Sequence, residues 1–342
     1  MGIDPASFSS SLIAWQRKHG RNDLPWQGAD PYRVWLSEIM LQQTQVSTVI
    51  PYYLRFVASF PDIVTLANAE EEAVLAHWSG LGYYARCRNL HRAARAIVDI
   101  HDGQFPQQYE QILGLPGIGR STAAAISAQA FHEKRAILDG NVKRLLARSC
   151  GISGETSAKQ VENELWRQAE ALLPDRDFAV YTQALMDMGA TLCTRSNPKC
   201  GICPVQKDCI ALQSGRVKEL PTPKTRKRVP EKRTIFLLVN SGGEILLEKR
   251  KPSGIWGGLW CFPEAGEEEF EAHCKGWNIE EQAEWPEFTH TFTHFRLNIR
   301  PIYMNLAEKP ECEREHTWMS LNDALQAAIP APVRKLLANF ED

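Results

Sequence analysis

Four cysteines, Cys193, Cys200, Cys203 and Cys209, fall within seventeen residues in the spacing C-x6-C-x2-C-x5-C, whereas Cys87, Cys150, Cys261, Cys274 and Cys312 are scattered singly. Thiols this crowded either pair as disulfides or bind a metal. An odd total of nine cysteines, with no secretion signal, argues against a disulfide framework. The segment is therefore expected to fold around a metal in a reducing compartment. Structural zinc pairs two short C-x2-4-C knuckles across a longer gap, and only one such knuckle, Cys200 with Cys203, exists here. Residue chemistry alone leaves zinc and an iron–sulfur cluster both open.

At 342 residues the chain has room for two domains. No apolar run is long enough to span a bilayer, so a soluble cytoplasmic protein without a membrane partner is expected. The net charge of −2 hides a segregation. Residues 1–215 carry 21 basic and 21 acidic side chains, residues 216–233 eight basic and two acidic, and residues 234–342 ten basic and eighteen acidic. A local basic stripe of this kind can meet phosphates even in a near-neutral chain.

Apolar positions recur at helical spacing through residues 5–212, as in Val34-Trp35-Ile39-Leu41 and Leu90-Ala94-Ile97-Val98, with Pro and Gly punctuation between segments. An all-α domain over 1–213 with about ten helices is expected. Residues 214–233 read as a basic, proline-containing linker. Beyond it the period changes to two. Residues 234–239, 245–249 and 288–299 read as strands, with Ser241-Gly242-Gly243 as a hairpin turn, and residues 321–340 return to helix. Residues 234–342 are thus an α+β domain.

Three motifs carry chemistry. Leu115-Pro116-Gly117-Ile118-Gly119-Arg120 sits between helical stretches, and its glycines permit a tight turn that exposes N–H groups to an anion at the next helix start. An ordinary helix connection would look similar. Asp139, in Leu138-Asp139-Gly140-Asn141-Val142, reads as an N-cap or as a desolvated carboxylate facing a cation. Glu38 lies one helical turn from Trp35, Leu41 and Gln42, so it is either a surface glutamate or a buried acid that keeps its proton near neutrality.

The cysteine spacing behind a long helical domain resembles the iron–sulfur DNA glycosylases of the endonuclease III superfamily, and the 115–120 turn resembles their helix–hairpin–helix motif. The resemblance implies one [4Fe-4S] cluster held by Cys193, Cys200, Cys203 and Cys209, structural and DNA-positioning rather than catalytic. It also implies phosphate contacts at Gly117 and Gly119, an essential carboxylate at Asp139, and support of the sugar–phosphate by Asn141. Ser121 departs from the superfamily's lyases, which carry a nucleophilic lysine there. A hydroxyl cannot form the Schiff base that drives strand cleavage, which points to a monofunctional glycosylase. Only opportunistic cleavage would then be left to lysines such as Lys143.

The block Ser37-Glu38-Ile39-Met40-Leu41-Gln42-Gln43-Thr44, with Gly80-Leu81-Gly82-Tyr83-Tyr84 and 138–142, is similar to the adenine DNA glycosylase family, and the likeness extends over essentially the whole chain. It implies that Glu38 protonates adenine, that Gln43 and Tyr83 fill the gap left by the flipped base, and that Leu24 and Trp26 wall the pocket. Thr44, Ser121 and Lys143 are implied to lie along the DNA. Gly257-Gly258-Leu259-Trp260-Cys261-Phe262-Pro263 resembles the Nudix fold, but the R-E-x-x-E-E signature is missing and Glu267-Glu268-Glu269 reads as a solvated acidic surface. In the family this domain senses 8-oxoguanine through a loop matched by Phe292-Thr293-His294. The expected partner is duplex DNA with adenine opposite 8-oxoguanine or guanine, bound by a monomer in a bacterial cytoplasm, at the nucleoid.

Overall fold

The computed structural model describes residues 3–224, 229–310 and 315–340. No helix among them is long and apolar enough to cross a membrane. Part of the basic run (225–228) and Cys312 lie outside the described residues. The backbone divides into two compact units, Met1–Ala67 with Arg92–Thr225, and Asn68–His91 with Arg226–Asp342.

The first unit is helical. Its core gathers Phe8, Leu12, Leu138, Val142, Leu145, Leu165, Tyr181 and Met188, all buried. Each such side chain contributes about 1.5–3 kcal/mol by leaving water. The sequence Ser121-Thr122-Ala123-Ala124-Ala125 opens the helix Arg120–Phe131, whose small side chains let two neighbours approach closely. These are the helices Pro31–Leu41 and Phe178–Asp187, both packed against it. That packing positions the site described below. Twelve α-helices precede residue 214 among the described residues, somewhat more than the periodicity suggested.

The second unit contains an eight-stranded sheet: β1 (Glu231–Ser241), β2 (Glu244–Lys249), β3 (Trp260–Cys261), β4 (Glu264–Ala265), β5 (Ile279–Glu284), β6 (Phe288–Thr291), β7 (Arg296–Leu306) and β8 (His316–Ser320). The main order is β3-β2-β1-β7-β5, with β4 on β1, β6 on β7 and β8 on β2. Ile235, Phe236, Leu237, Leu238 and Val239 are all buried, as a central strand covered on both faces requires. Gly242 and Gly243, at φ 59° and 80°, make the hairpin turn between β1 and β2. Two helices, Leu321–Gln326 and Ala331–Leu337, close the chain.

Three details differ from the sequence reading. Residues 288–299 are not one strand: a turn at 292–295 separates β6 from β7, with the Phe292 N–H donating to the Phe295 carbonyl at 2.9 Å. The start of the linker, read only as a basic, proline-containing connection, packs onto the helical unit. Leu220 is buried, and Thr222 Oγ1 accepts the Gly154 N–H at 2.8 Å. Residues 68–91, read as part of the helical domain, pack with the sheet. Glu72 accepts from Lys249 Nζ (2.6 Å) and Trp260 Nε1 (2.5 Å), and Arg88 donates to the Gly257 carbonyl. The exposed Glu267, Glu268 and Glu269 are the solvated surface expected of them.

Candidate active site and cluster-binding loop

Asp30 caps the helix Pro31–Leu41, accepting from the Arg33 N–H at 3.0 Å, and Pro31 fits the first helical position because its missing donor is not needed there. Val34, Trp35, Leu36, Ile39 and Met40 bury this helix on several sides. Glu38 is drawn in with them. Its side chain keeps a partial opening to solvent, yet its carboxyl is hemmed in by protein, and this burial pushes its pKa up to about 7. A hydrogen bond from Gln129 Nε2 to Glu38 Oε1, at 2.7 Å, opposes the rise, and the charge of Asp139 adds to it. Glu38 therefore gives up its proton far less readily than a free glutamate.

Asp139 is the N-cap of the helix Gly140–Ser149, accepting from the Val142 N–H at 2.8 Å. Burial raises its pKa against the pull of its hydrogen bonds to the Val142 and Asn141 N–H groups. Cap and desolvated carboxylate, posed as alternatives, are thus one residue. Ser121 Oγ accepts the Leu138 N–H at 2.9 Å, which pins the chain immediately before Asp139. Asn141 Nδ2 reaches Asp139 at 3.4 Å, and Arg144 in turn holds Asn141 Oδ1 at 2.9 Å. Gly189 lies so close to Asn141 that an added Cβ would sit 2.5 Å from the Asn141 Cβ. Lys143 is paired with Glu162, so its charge is already engaged.

A cavity of about 240 Å³ is walled by Gln16, Asn22, Trp26, Gln27, Gln129 and Gln183, and Gln129 connects it to Glu38 through its hydrogen bond. Trp26 packs edge-on to Tyr53 at 5.2 Å between ring centres. Leu24 is buried but is not part of this wall. Beneath it lies Asp187, fully buried, which accepts from Gln16 Nε2 (3.0 Å), Gln183 Nε2 (2.8 Å), and the backbone and guanidinium of Arg21. Carboxamides and an aromatic wall suit a flat, neutral, hydrogen-bonding ring. Gln129, Gln183 and Asp187 escaped sequence reasoning; only Asp187, a lone acid in an otherwise apolar run, left any signal.

Among the candidate DNA-contact residues, Ser121 and Lys143 lie in helices, and the others lie in connecting segments. Gly117 has φ 79°, and Gly119 caps the helix Arg120–Phe131, leaving that helix's first N–H groups open to an anion. Gln43 and Tyr83 are non-glycine residues at φ 57° and 51°, a left-handed geometry that costs energy and concentrates at functional sites. Both are exposed. Thr44 closes the turn beside Gln43 with its N–H on the Leu41 carbonyl at 3.2 Å. In the second unit, Tyr83 Oη lies 3.2 Å from Thr293 Oγ1. Thr293 and His294 are exposed at the β6–β7 turn, while Phe292 is braced by Phe295 and Trp256, at 4.6 and 5.3 Å between ring centres.

Cys193, Cys200, Cys203 and Cys209 line one cavity together with Leu145 and Arg148. Burial and the three neighbouring thiols push Cys203 up to about 11, a frustration that a bound cation relieves. Among the described residues no three metal-binding side chains converge closely enough for a single ion. A zinc site needs its thiolates about 2.3 Å from one point. The four thiols around one cavity offer the all-thiolate ligand set that an iron–sulfur cluster takes. Arg148, buried, donates to Cys193 Sγ (3.4 Å) and to the Thr194, Arg195 and Leu220 carbonyls, so it braces the loop from behind. Arg144 ties the Asp139 helix to the same loop through the Cys193 carbonyl at 2.8 Å.

Comparison with known proteins agrees with this layout. Residues 36–171 match the HhH-GPD superfamily of base excision DNA repair proteins, residues 193–209 the iron–sulfur binding domain of endonuclease III, and residues 234–339 the NUDIX domain. An adenine DNA glycosylase of Buchnera aphidicola (subsp. Acyrthosiphon pisum) is 40% identical, over 98% of this chain and 97% of that one. One from Mus musculus is 32% identical over 99% of this chain and 79% of its own length. A solved structure of a thermostable thymine-DNA glycosylase superposes with a TM-score of 0.55 at 28% identity, covering 60% of this chain and 95% of that one. The cysteine loop accordingly carries a [4Fe-4S] cluster in this family, a structural group that would stiffen the loop bearing Arg195 and Lys199.

Proposed function

The chain belongs to the adenine DNA glycosylases, N-glycosylases of base excision repair, and we propose that its substrate is adenine opposite 8-oxoguanine or guanine in duplex DNA. One observation carries the mechanism: Gln129, in the wall of a base-sized cavity, is hydrogen-bonded to Glu38, a carboxyl whose pKa burial raises and on which the charge of Asp139 acts. The glycosidic bond is inaccessible in a stacked duplex, so the adenine must flip out. It enters the cavity against Trp26, with Leu24 behind the wall. Glu38 gives its proton to N7, which makes the base a better leaving group. Asp139 stabilises the oxocarbenium that develops on the sugar, and water then adds with Glu38 as base, by the two-carboxylate logic of glycoside hydrolysis.

The remaining assignments are those the family resemblance implies, and the exposure and left-handed backbone of Gln43, Tyr83 and Gly117 support them. Gln43, with Thr44 beside it, is assigned to the gap in the duplex, and Tyr83 is assigned the same role. The N–H groups around Gly117 and Gly119 hold a phosphate. Asn141 supports the sugar–phosphate, with Lys143 available where Glu162 releases it. Phe292, Thr293 and His294 read the base opposite, the threonine keeping a hydroxyl for the task. The protein acts as a monomer, and in a bacterial cell it works at the nucleoid. Four cysteines, Cys193, Cys200, Cys203 and Cys209, ligate the cluster.

The test is a gel of duplex with adenine opposite 8-oxoguanine, run with and without alkali. Strand breaks only after alkali support a monofunctional glycosylase; no breaks in either lane defeat the reading. Ser121 supplies a companion prediction. Ser121→Lys places an amine next to the Asp139 segment, and a Schiff base becomes accessible. Strand cleavage without alkali is expected to appear, together with a species trapped by borohydride. A variant that excises adenine yet gives neither would show that position 121 does not face the sugar.

A further inference from the structure

Gln129 touches both halves of the site. Its side chain forms part of the cavity wall, and its Nε2 donates to Glu38 Oε1 at 2.7 Å. Among the described residues no other side chain or backbone group donates to Glu38. A carboxylic acid can place its proton on either oxygen. A donor fixed on Oε1 makes that oxygen the acceptor, because a hydroxyl there would meet an N–H head-on. Resting on the reading of Glu38 as the acid, we propose that Gln129 is a positioning residue that holds Oε1 so that Oε2 carries the proton delivered to the base.

The charges around this pair are few. The helices packed against Pro31–Leu41 are Val46–Ser59, whose one charged residue is Arg55, and Arg120–Phe131, whose one charged residue is Arg120. Arg55 stacks on Tyr52, and Arg120 is engaged by Glu170 and Trp166. Asp139 is the charged group that acts on Glu38 through space. Gln129, being neutral, neither gives nor takes a proton. It sets which oxygen does.

The test is Gln129→Met, which keeps the length and loses the donor, with Gln129→Leu as a second variant and the visible absorbance of the cluster as a check that the protein has folded. Single-turnover excision of adenine opposite 8-oxoguanine at pH 6 is expected to fall about tenfold with duplex binding unchanged. The alkaline limb of the pH–rate profile is expected to move up by about one pH unit, because the hydrogen bond that favoured the carboxylate is gone. An unchanged rate overturns the proposal, and so does a slower rate with the limb unmoved, which would be packing alone. Glu38→Gln run alongside separates the two readings: if it excises normally, the acid assignment has failed instead.

Discussion

Glu38→Gln is expected to abolish excision while leaving duplex binding intact. The amide has the shape of the acid, and its carbonyl can still accept from Gln129 Nε2, so the helix Pro31–Leu41 and the cavity wall should be undisturbed. What disappears is the transferable proton. General acid catalysis contributes about 10²–10⁴-fold, and here the same residue is also assigned the later base role, so a loss at the upper end of that range is expected. Single-turnover excision beside a binding titration measures both. Near-normal excision would remove Glu38 from the chemistry.

The same substitution should stabilise the folded protein at alkaline pH. The folded-state pKa of Glu38, about 7, lies above the value of 4.5 for a free glutamate. Its protonated form is therefore compatible with the fold, and stability is full below about pH 4.5 and is lost as pH rises through 7. Glutamine never ionises and escapes that loss. Thermal melts should show Glu38→Gln above the parent at pH 8, by at most about 3 kcal/mol, and level with it at pH 4. A residue that costs stability at its working pH is held there by function.

Asp139→Asn is the second large effect, and it separates two roles of one side chain. Asparagine caps helices about as well as aspartate, so the Val142 N–H keeps its acceptor and the fold should survive. The negative charge facing the oxocarbenium is lost, and excision should fall by about 10³-fold or more. Asp139→Ala loses the charge and the cap together, and should cost about 1 kcal/mol of stability besides. Melting curves and single-turnover rates on the two variants decide the matter. Normal excision by the asparagine variant would make Asp139 a cap and nothing more.

Some of this site could be read from the chain, and the reason is local. Asp30-Pro31 starts a helix by itself, the 115–120 turn announces itself through two glycines, and the cysteine spacing is a signal confined to seventeen residues. Sequence could also say that Glu38 was an acid among apolar neighbours. It could not say that Gln129 would meet it, because that contact bridges 91 residues and depends on how closely an alanine-rich helix lets its neighbours approach. Asp187 is the same case. Its donors Gln16 and Arg21 come from the far end of the helical unit, 171 and 166 residues away. The grouping of residues 68–91 with the sheet was equally hidden, since Glu72 finds Lys249 and Trp260 only once both segments have folded. Strand periodicity also ran straight through residues 292–295, where the chain in fact turns and exposes Thr293 and His294.

The proposed mechanism requires Glu38 to deliver a proton at neutral pH. The most direct measurement is the single-turnover rate of adenine excision opposite 8-oxoguanine from pH 5 to 9. A plateau below about pH 7 and a decline approaching tenfold per pH unit above it is the predicted result, because only the protonated acid can act. A rate that stays level, or rises, between pH 7 and 9 would contradict it.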